Sequence, residues 1–85
     1  MIYYFDNCAT TRVDNEVVDI MNRYQTENYF NPSARSTFSL NVANQMAASR
    51  GKIAKLLGAQ DPSEIYFTSG GTESDNIAIH GCLRA

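Results

Sequence analysis

The stretch Ile65-Tyr66-Phe67-Thr68-Ser69-Gly70-Gly71-Thr72-Glu73-Ser74-Asp75 carries most of the information about the fold. It opens with strand-forming residues, which predict a short and largely buried strand. Two glycines flanked by hydroxyl residues then break the strand, and helical character returns from Glu73 onward. The stretch therefore predicts a strand, a tight turn and a helix in direct succession.

The sequence before this stretch supplies one further strand and two further helices. Residues 2–5 are strand formers and predict a brief first strand. Apolar residues with the spacing i, i+3, i+4, i+7 predict a helix that is capped by Asp14 and ends near residue 27. After a loop over residues 28–36, a second apolar pattern predicts a helix from about residue 37 to Leu57.

The order strand, helix, helix, strand, turn, helix predicts the α/β class, with two short strands and three helices. Two short strands are too few for a stable sheet, so we expect them to lean on structure outside the chain. No repeat, low-complexity tract or linker interrupts the sequence, and residues 1–85 are expected to form one segment without an internal boundary.

Composition narrows the function classes. With 7 Lys and Arg against 9 Asp and Glu, the net charge of −2 provides no basic stripe for nucleic acid. The two cysteines and the single His80 complete no zinc pattern, so no metal site is expected. No apolar stretch is long enough to span a membrane and no charged leader precedes one, which predicts no membrane association and a cytoplasmic setting.

The turn after the second predicted strand has the composition of an anion site. Glycines at Gly70 and Gly71 let an anion approach the backbone, and Ser69 and Thr72 add hydroxyl donors near the positive end of a helix. The spacing matches neither a Walker loop nor a dinucleotide fingerprint. Local chemistry equally allows Thr72 to be an ordinary helix cap, with Asp75 as its capping partner.

Two further polar clusters are weaker candidates. Residues 6–11 form a hydroxyl-rich turn in which Cys8 is better explained as a small packing residue than as a nucleophile. Residues 31–33, Asn-Pro-Ser, predict a loop, and the nearby Arg35 could face a carboxylate ligand or simply be solvated. His80 is expected to be a surface or packing histidine.

Taken together, these clusters resemble the N-terminal part of the cysteine desulfurases, pyridoxal phosphate enzymes of the aminotransferase class V group. The matching stretches are residues 4–11, 31–33 and 64–79, and the last is long and specific. The resemblance covers essentially the whole chain and is closer to the NifS and IscS branch than to the SufS branch. It implies the fold of fold-type I pyridoxal phosphate enzymes. One departure is Phe30, which stands where the family commonly has glycine.

The resemblance implies roles for particular residues. The cofactor phosphate would rest on Gly71 and Thr72, with Gly70 and Ser69 in the same loop. The substrate-side candidates, with weaker support, are Asn7, Ala9 and Thr10. The Schiff-base lysine and the persulfide cysteine of the family match no position here, so no catalytic residue is expected in this chain.

The first hypothesis is therefore part of a desulfurase that converts L-cysteine to L-alanine and supplies sulfur for iron-sulfur clusters or tRNA thiolation. The resemblance implies a homodimer when full length, and sulfur-acceptor proteins as possible partners. The piece alone is expected to be inactive. The alternatives are a non-catalytic phosphate-binding or interaction module, and another class V aminotransferase or lyase.

Overall fold

The protein, described for all 85 residues by a computed structural model, contains helices and no strands. Helix α1 covers Asn15–Thr26, α2 covers Thr37–Leu57 and α3 covers Gly71–Arg84. A single 3₁₀ turn at Pro62–Glu64 lies between α2 and α3. The predicted α/β class with two short strands is therefore wrong, and the chain is all-helical.

The two predicted strands show why the class prediction failed. Ile65 has extended dihedrals, with φ −100° and ψ 122°, as a strand former should. A strand also needs a partner with which to exchange backbone hydrogen bonds, and none pairs with residues 2–5 or 65–68. The expected burial is missing as well, because 77% of Tyr66 is exposed. Local preference gave the extended backbone, but a sheet depends on non-local pairing.

The first helix agrees with its predicted bounds. Asp14 occupies the N-cap position with extended dihedrals, although its side chain makes no capping hydrogen bond. Instead, the Arg12 guanidinium donates to the Asn15 side chain at 2.8 Å. At the other end, the N–H groups of Glu27 and Asn28 both donate to the Arg23 carbonyl, at 2.9 and 2.7 Å.

The second helix also has its predicted bounds, and Gly51 does not interrupt it. It ends in a Schellman motif, in which the Ala59 N–H donates to the Ala54 carbonyl at 2.9 Å and the Gly58 N–H donates to Lys55 at 3.2 Å. Gly58 has a φ of +75°, a value that favours glycine over any residue with a side chain. The predicted stop at Gly58 is confirmed.

The residues form two compact units, Met1–Gln45 and Met46–Ala85, and the division falls inside α2. Each unit buries very little. In the first, Val42 and Ser39 are buried, and in the second only Ala54 is. Large apolar side chains such as Phe5 and Leu83 are exposed by 93% and 78%. No helix has the length and apolar character that crossing a membrane requires.

Candidate phosphate-binding site

The start of α3 coincides with the predicted anion turn. The helix begins at Gly71, and Gly70 occupies the N-cap position. Thr72 is thus the second helical residue, and its interpretation as the cap is wrong. Gly70 has a φ of 167°, which is extended backbone that any residue can adopt. Apart from adjacent residues and the nearby backbone of α3 itself, no atom lies within 4 Å of the position that a Cβ would take at Gly70 or Gly71, so the space beside both glycines is open.

This helix start leaves backbone donors free. The first backbone hydrogen bond of the turn runs from the Ser74 N–H to the Gly70 carbonyl at 3.1 Å. The N–H groups of Gly71 and Thr72 have no acceptor, and the Thr72 hydroxyl has no partner. Glycine at the N-cap has no side chain with which to satisfy them. Such donors, at the positive end of a helix, suit an anion.

Thr68 and Ser74 hold the turn in shape. The Thr68 hydroxyl donates to the Gly70 carbonyl at 3.1 Å, and the Thr68 and Ser74 hydroxyl oxygens are 2.6 Å apart. Further along, the Asn76 side chain donates to the Thr72 carbonyl at 2.8 Å. These contacts fix the backbone on both sides of the free donors and do not use the donors themselves.

Glu73 reaches back onto the same turn. Its carboxylate accepts from the Ser69 N–H at 3.0 Å and also from the Ser69 hydroxyl. The hydroxyl contact, followed by the N–H contact, holds the pKa of Glu73 below its ordinary value. The Glu73 carboxylate is therefore already hydrogen-bonded to Ser69, one of the four predicted phosphate-site residues. The sequence signal was present, since glutamate at the third position of a helix commonly turns back toward the preceding residues.

The donor set fits a cofactor phosphate at two of the four predicted positions. Gly71 and Thr72 offer two N–H groups and a hydroxyl, which match the acceptor oxygens of a phosphate. Gly70 contributes open space and no side chain, while both Ser69 donors are engaged by Glu73. The residues therefore fit the phosphate through Gly71 and Thr72.

The predicted substrate-side residues lie in the first unit. Residues 6–9 form a turn closed by the Ala9 N–H, which donates to the Asp6 carbonyl at 3.0 Å. The Thr11 hydroxyl donates to the Asn7 carbonyl at 3.4 Å. Asn7, Ala9 and Thr10 are all exposed, and so is Cys8. Their substrate-side role stays a prediction.

The predicted loop at Asn31-Pro32-Ser33 is confirmed. The Asn31 side chain accepts from the Ser33 N–H at 2.9 Å, and the Asn31 carbonyl accepts from the Ala34 N–H at 3.1 Å. Phe30, the departure from the family pattern, stacks on Tyr29 and on Phe38, with ring centroids 4.6 and 4.9 Å apart. Sequence reasoning missed this three-ring stack.

Each unit has a groove that lies away from the start of α3. A groove of about 360 Å³ in the first unit is lined by Tyr24, Asn28, Asn41, Val42 and Gln45. A groove of about 300 Å³ in the second unit has Lys52 and Lys55 among its lining residues. Neither groove includes the free donors of α3. No group of His, Cys, Asp and Glu side chains comes together in a way that would hold a metal ion.

Comparison with known families identifies the class of protein to which the chain belongs. The model of the aminotransferase class-V family matches residues 3–85, which is almost the whole chain. The chain belongs to that family.

The names of individual relatives identify a narrower group within this family. The chain is 49% identical over 82 residues to cysteine desulfurase NifS from Azotobacter vinelandii, a match that covers 96% of the chain and 20% of the relative. It is 51% identical over 78 residues to cysteine desulfurase IscS from Methanosarcina thermophila, covering 92% of the chain and 19% of the relative. The chain thus spans about a fifth of the length of these relatives. No significant match was found among solved structures.

Proposed function

We propose that the chain is the phosphate-holding part of a longer, pyridoxal phosphate-dependent cysteine desulfurase. The observation that carries the proposal is the start of α3, where the Gly71 and Thr72 N–H groups lack acceptors beside the unpartnered Thr72 hydroxyl. The names of the relatives favour a desulfurase over another class V aminotransferase or lyase.

In this proposal the chain binds and orients, and the reacting groups come from elsewhere in the longer protein. The Gly71 and Thr72 N–H groups and the Thr72 hydroxyl hold the phosphate, and the contact between Thr68 and Ser74 keeps the turn in shape. When bound, the cofactor supplies an electron sink. Orientation by a fixed phosphate is the contribution of this segment.

The substrate and partners belong to the same proposal. The longer protein would convert L-cysteine to L-alanine and pass the sulfur to a cysteine thiolate of its own as a persulfide, for iron-sulfur clusters or tRNA thiolation. It would act as a homodimer in the cytoplasm and deliver sulfur to acceptor proteins. The substrate-side residues would be Asn7, Ala9 and Thr10.

The chain alone is predicted to be inactive. Its two lysines, Lys52 and Lys55, line an open groove on α2, and neither lies on the turn that would hold the cofactor. We expect the chain to release no sulfide from cysteine when pyridoxal phosphate is added. We also expect borohydride to fix no cofactor on either lysine when a free amine is present as a competitor. Sulfide release by the purified chain would refute this part of the proposal.

The phosphate role is tested by Thr72→Val, which removes the hydroxyl and keeps the branched shape. Pyridoxamine 5′-phosphate is the suitable probe, because it lacks the aldehyde that reacts with surface lysines. Loss of one hydroxyl donor to a charged phosphate should weaken binding by roughly tenfold in equilibrium dialysis. The matched control is Thr37→Val, which changes a threonine in the first turn of α2 and should leave binding unchanged. Equal loss in both variants, or in neither, would count against the site.

A further inference from the structure

The Glu73 carboxylate turns back onto the residue that precedes the cap of α3. It accepts from both donors of Ser69, whose N–H immediately precedes the helix cap Gly70. Two residues further along, the N–H groups of Gly71 and Thr72 remain free. One turn therefore contains both the negatively charged Glu73 side chain and free donors that suit an external anion.

These two features compete electrostatically. A phosphate on Gly71 and Thr72 would bring negative charge to the turn that already holds the Glu73 carboxylate, and like charges repel. Because Glu73 is exposed, water can solvate its carboxylate once it leaves Ser69. The two Ser69 donors would then be available to hydrogen-bond the phosphate. The conflict is removed if the glutamate side chain rotates away and releases both Ser69 donors.

We infer that Glu73 competes with the cofactor phosphate for the two donors of Ser69, and that phosphate binding displaces the Glu73 carboxylate from them. This inference rests on the proposed phosphate role of Gly71 and Thr72. Ser69 joins the phosphate site only after the displacement. The Glu73 carboxylate satisfies both Ser69 donors, and the cost of displacing it lowers the affinity for phosphate.

The chain offers a matched pair of variants for the test. Glu73→Ala removes the competitor, and Asp75→Ala removes an equal charge two residues further along α3, where the side chain makes no contact with Ser69. Alanine has the highest helix propensity, so both variants should keep α3 helical, and far-UV circular dichroism checks this. The probes are inorganic phosphate and pyridoxamine 5′-phosphate, followed through the amide resonances of Ser69, Gly71 and Thr72.

Glu73→Ala should bind inorganic phosphate about tenfold more tightly than the parent chain, because two charge-assisted contacts no longer have to be broken. Asp75→Ala should change affinity by less than about threefold, as expected for an exposed charge that acts only through a screened field. In the parent chain, saturating phosphate should move the Ser69 amide resonance toward its position in Glu73→Ala.

The possible failures are distinguishable. Equal tightening in both variants, or no tightening in either, would overturn the inference and leave the phosphate site intact. Absence of phosphate binding at Gly71 and Thr72 in every variant would overturn the site and the inference together. If inorganic phosphate behaves as expected while pyridoxamine 5′-phosphate does not bind, the competition stands and the proposed cofactor role fails.

Discussion

The starts of α2 and α3 differ in the side chains that bind the backbone N–H groups around each helix cap. At α2, the N-cap residue Ser36 accepts from the Ser39 N–H at 3.1 Å and donates to the Ser39 hydroxyl at 3.0 Å. Ser39 is buried, with 2% of its surface exposed. At α3, Gly70 has no capping side chain, and Glu73 turns back to Ser69 instead.

The difference separates a structural helix start from one suited to a ligand. At α2, the N–H of the third helical residue is satisfied by the cap, and the neighbouring Phe38 ring is fixed by stacking on Phe30. At α3, the first three N–H groups lack acceptors, and the glycines leave open space in front of them. We therefore expect changes at α2 to affect stability and changes at α3 to affect anion binding.

The largest effect on stability should come from Phe30→Gly, which removes the middle ring of the three-ring stack. Loss of two stacked pairs and added backbone freedom should cost about 1–3 kcal/mol in the local stability of the loop and the first turn of α2. Hydrogen exchange of the Ser39 and Leu40 amides, which both donate to Ser36, should accelerate by at least tenfold. The control Tyr66→Gly alters an exposed ring in the second unit and should leave these amides unchanged. Unchanged exchange in Phe30→Gly would mean that the stack does not hold this helix start.

Ser36→Ala should have the next largest effect. It removes the cap of α2 and leaves the buried Ser39 hydroxyl without its partner, a loss of about 1 kcal/mol. Amide exchange over the first turn of α2 should accelerate roughly fivefold. Phosphate binding should be unaffected. A loss of phosphate binding in this variant would erase the proposed difference between the two helix starts.

Gly70→Ser is expected to have a smaller effect on stability. It gives the start of α3 a serine N-cap like that of α2. The extended backbone at Gly70 accepts serine without strain, and the open space accommodates its side chain. The serine oxygen could then accept from the Glu73 N–H, which stabilises the start of α3 by only a few tenths of a kcal/mol relative to glycine. Because the new side chain uses a donor and fills the open space, phosphate binding should weaken. Stronger binding in Gly70→Ser would contradict the proposed geometry.

Acid should loosen the start of α3 and the 3₁₀ turn, and it should leave the start of α2 unchanged. The contacts with Ser69 depress the folded-state pKa of Glu73, so their stabilisation is fully present above the unfolded value, about pH 4. It is lost as pH falls through the depressed value. The N–H of Ser63 similarly lowers the pKa of Asp61, which caps the 3₁₀ turn, so that turn should loosen in the same range. The Ser69 and Ser63 amide resonances should titrate with midpoints below the ordinary pKa values of Glu and Asp side chains, and the Ser39 amide should not titrate.

The sequence predicted what depends on neighbouring residues. The bounds of α1 and α2 and the stop at Gly58 follow from apolar spacing and from one glycine conformation, and the structure confirms them. The predicted strand at residues 65–68 failed because extended preference at Ile65 cannot supply a pairing partner. Composition predicted a candidate site at this turn, but it did not predict the details of the turn. Which residue caps α3, and where the Glu73 carboxylate points, depend on side-chain geometry that spacing leaves open.

The central claim is that the start of α3 binds the cofactor phosphate while the start of α2 does not. The most direct measurement is a titration of the chain with pyridoxamine 5′-phosphate, in which the amide resonances of both helix starts are followed by NMR in the same samples. The account predicts saturable shifts at Ser69, Gly71 and Thr72, with Thr37, Phe38 and Ser39 unchanged. Equal shifts at both helix starts, or none at Gly71 and Thr72, would contradict it.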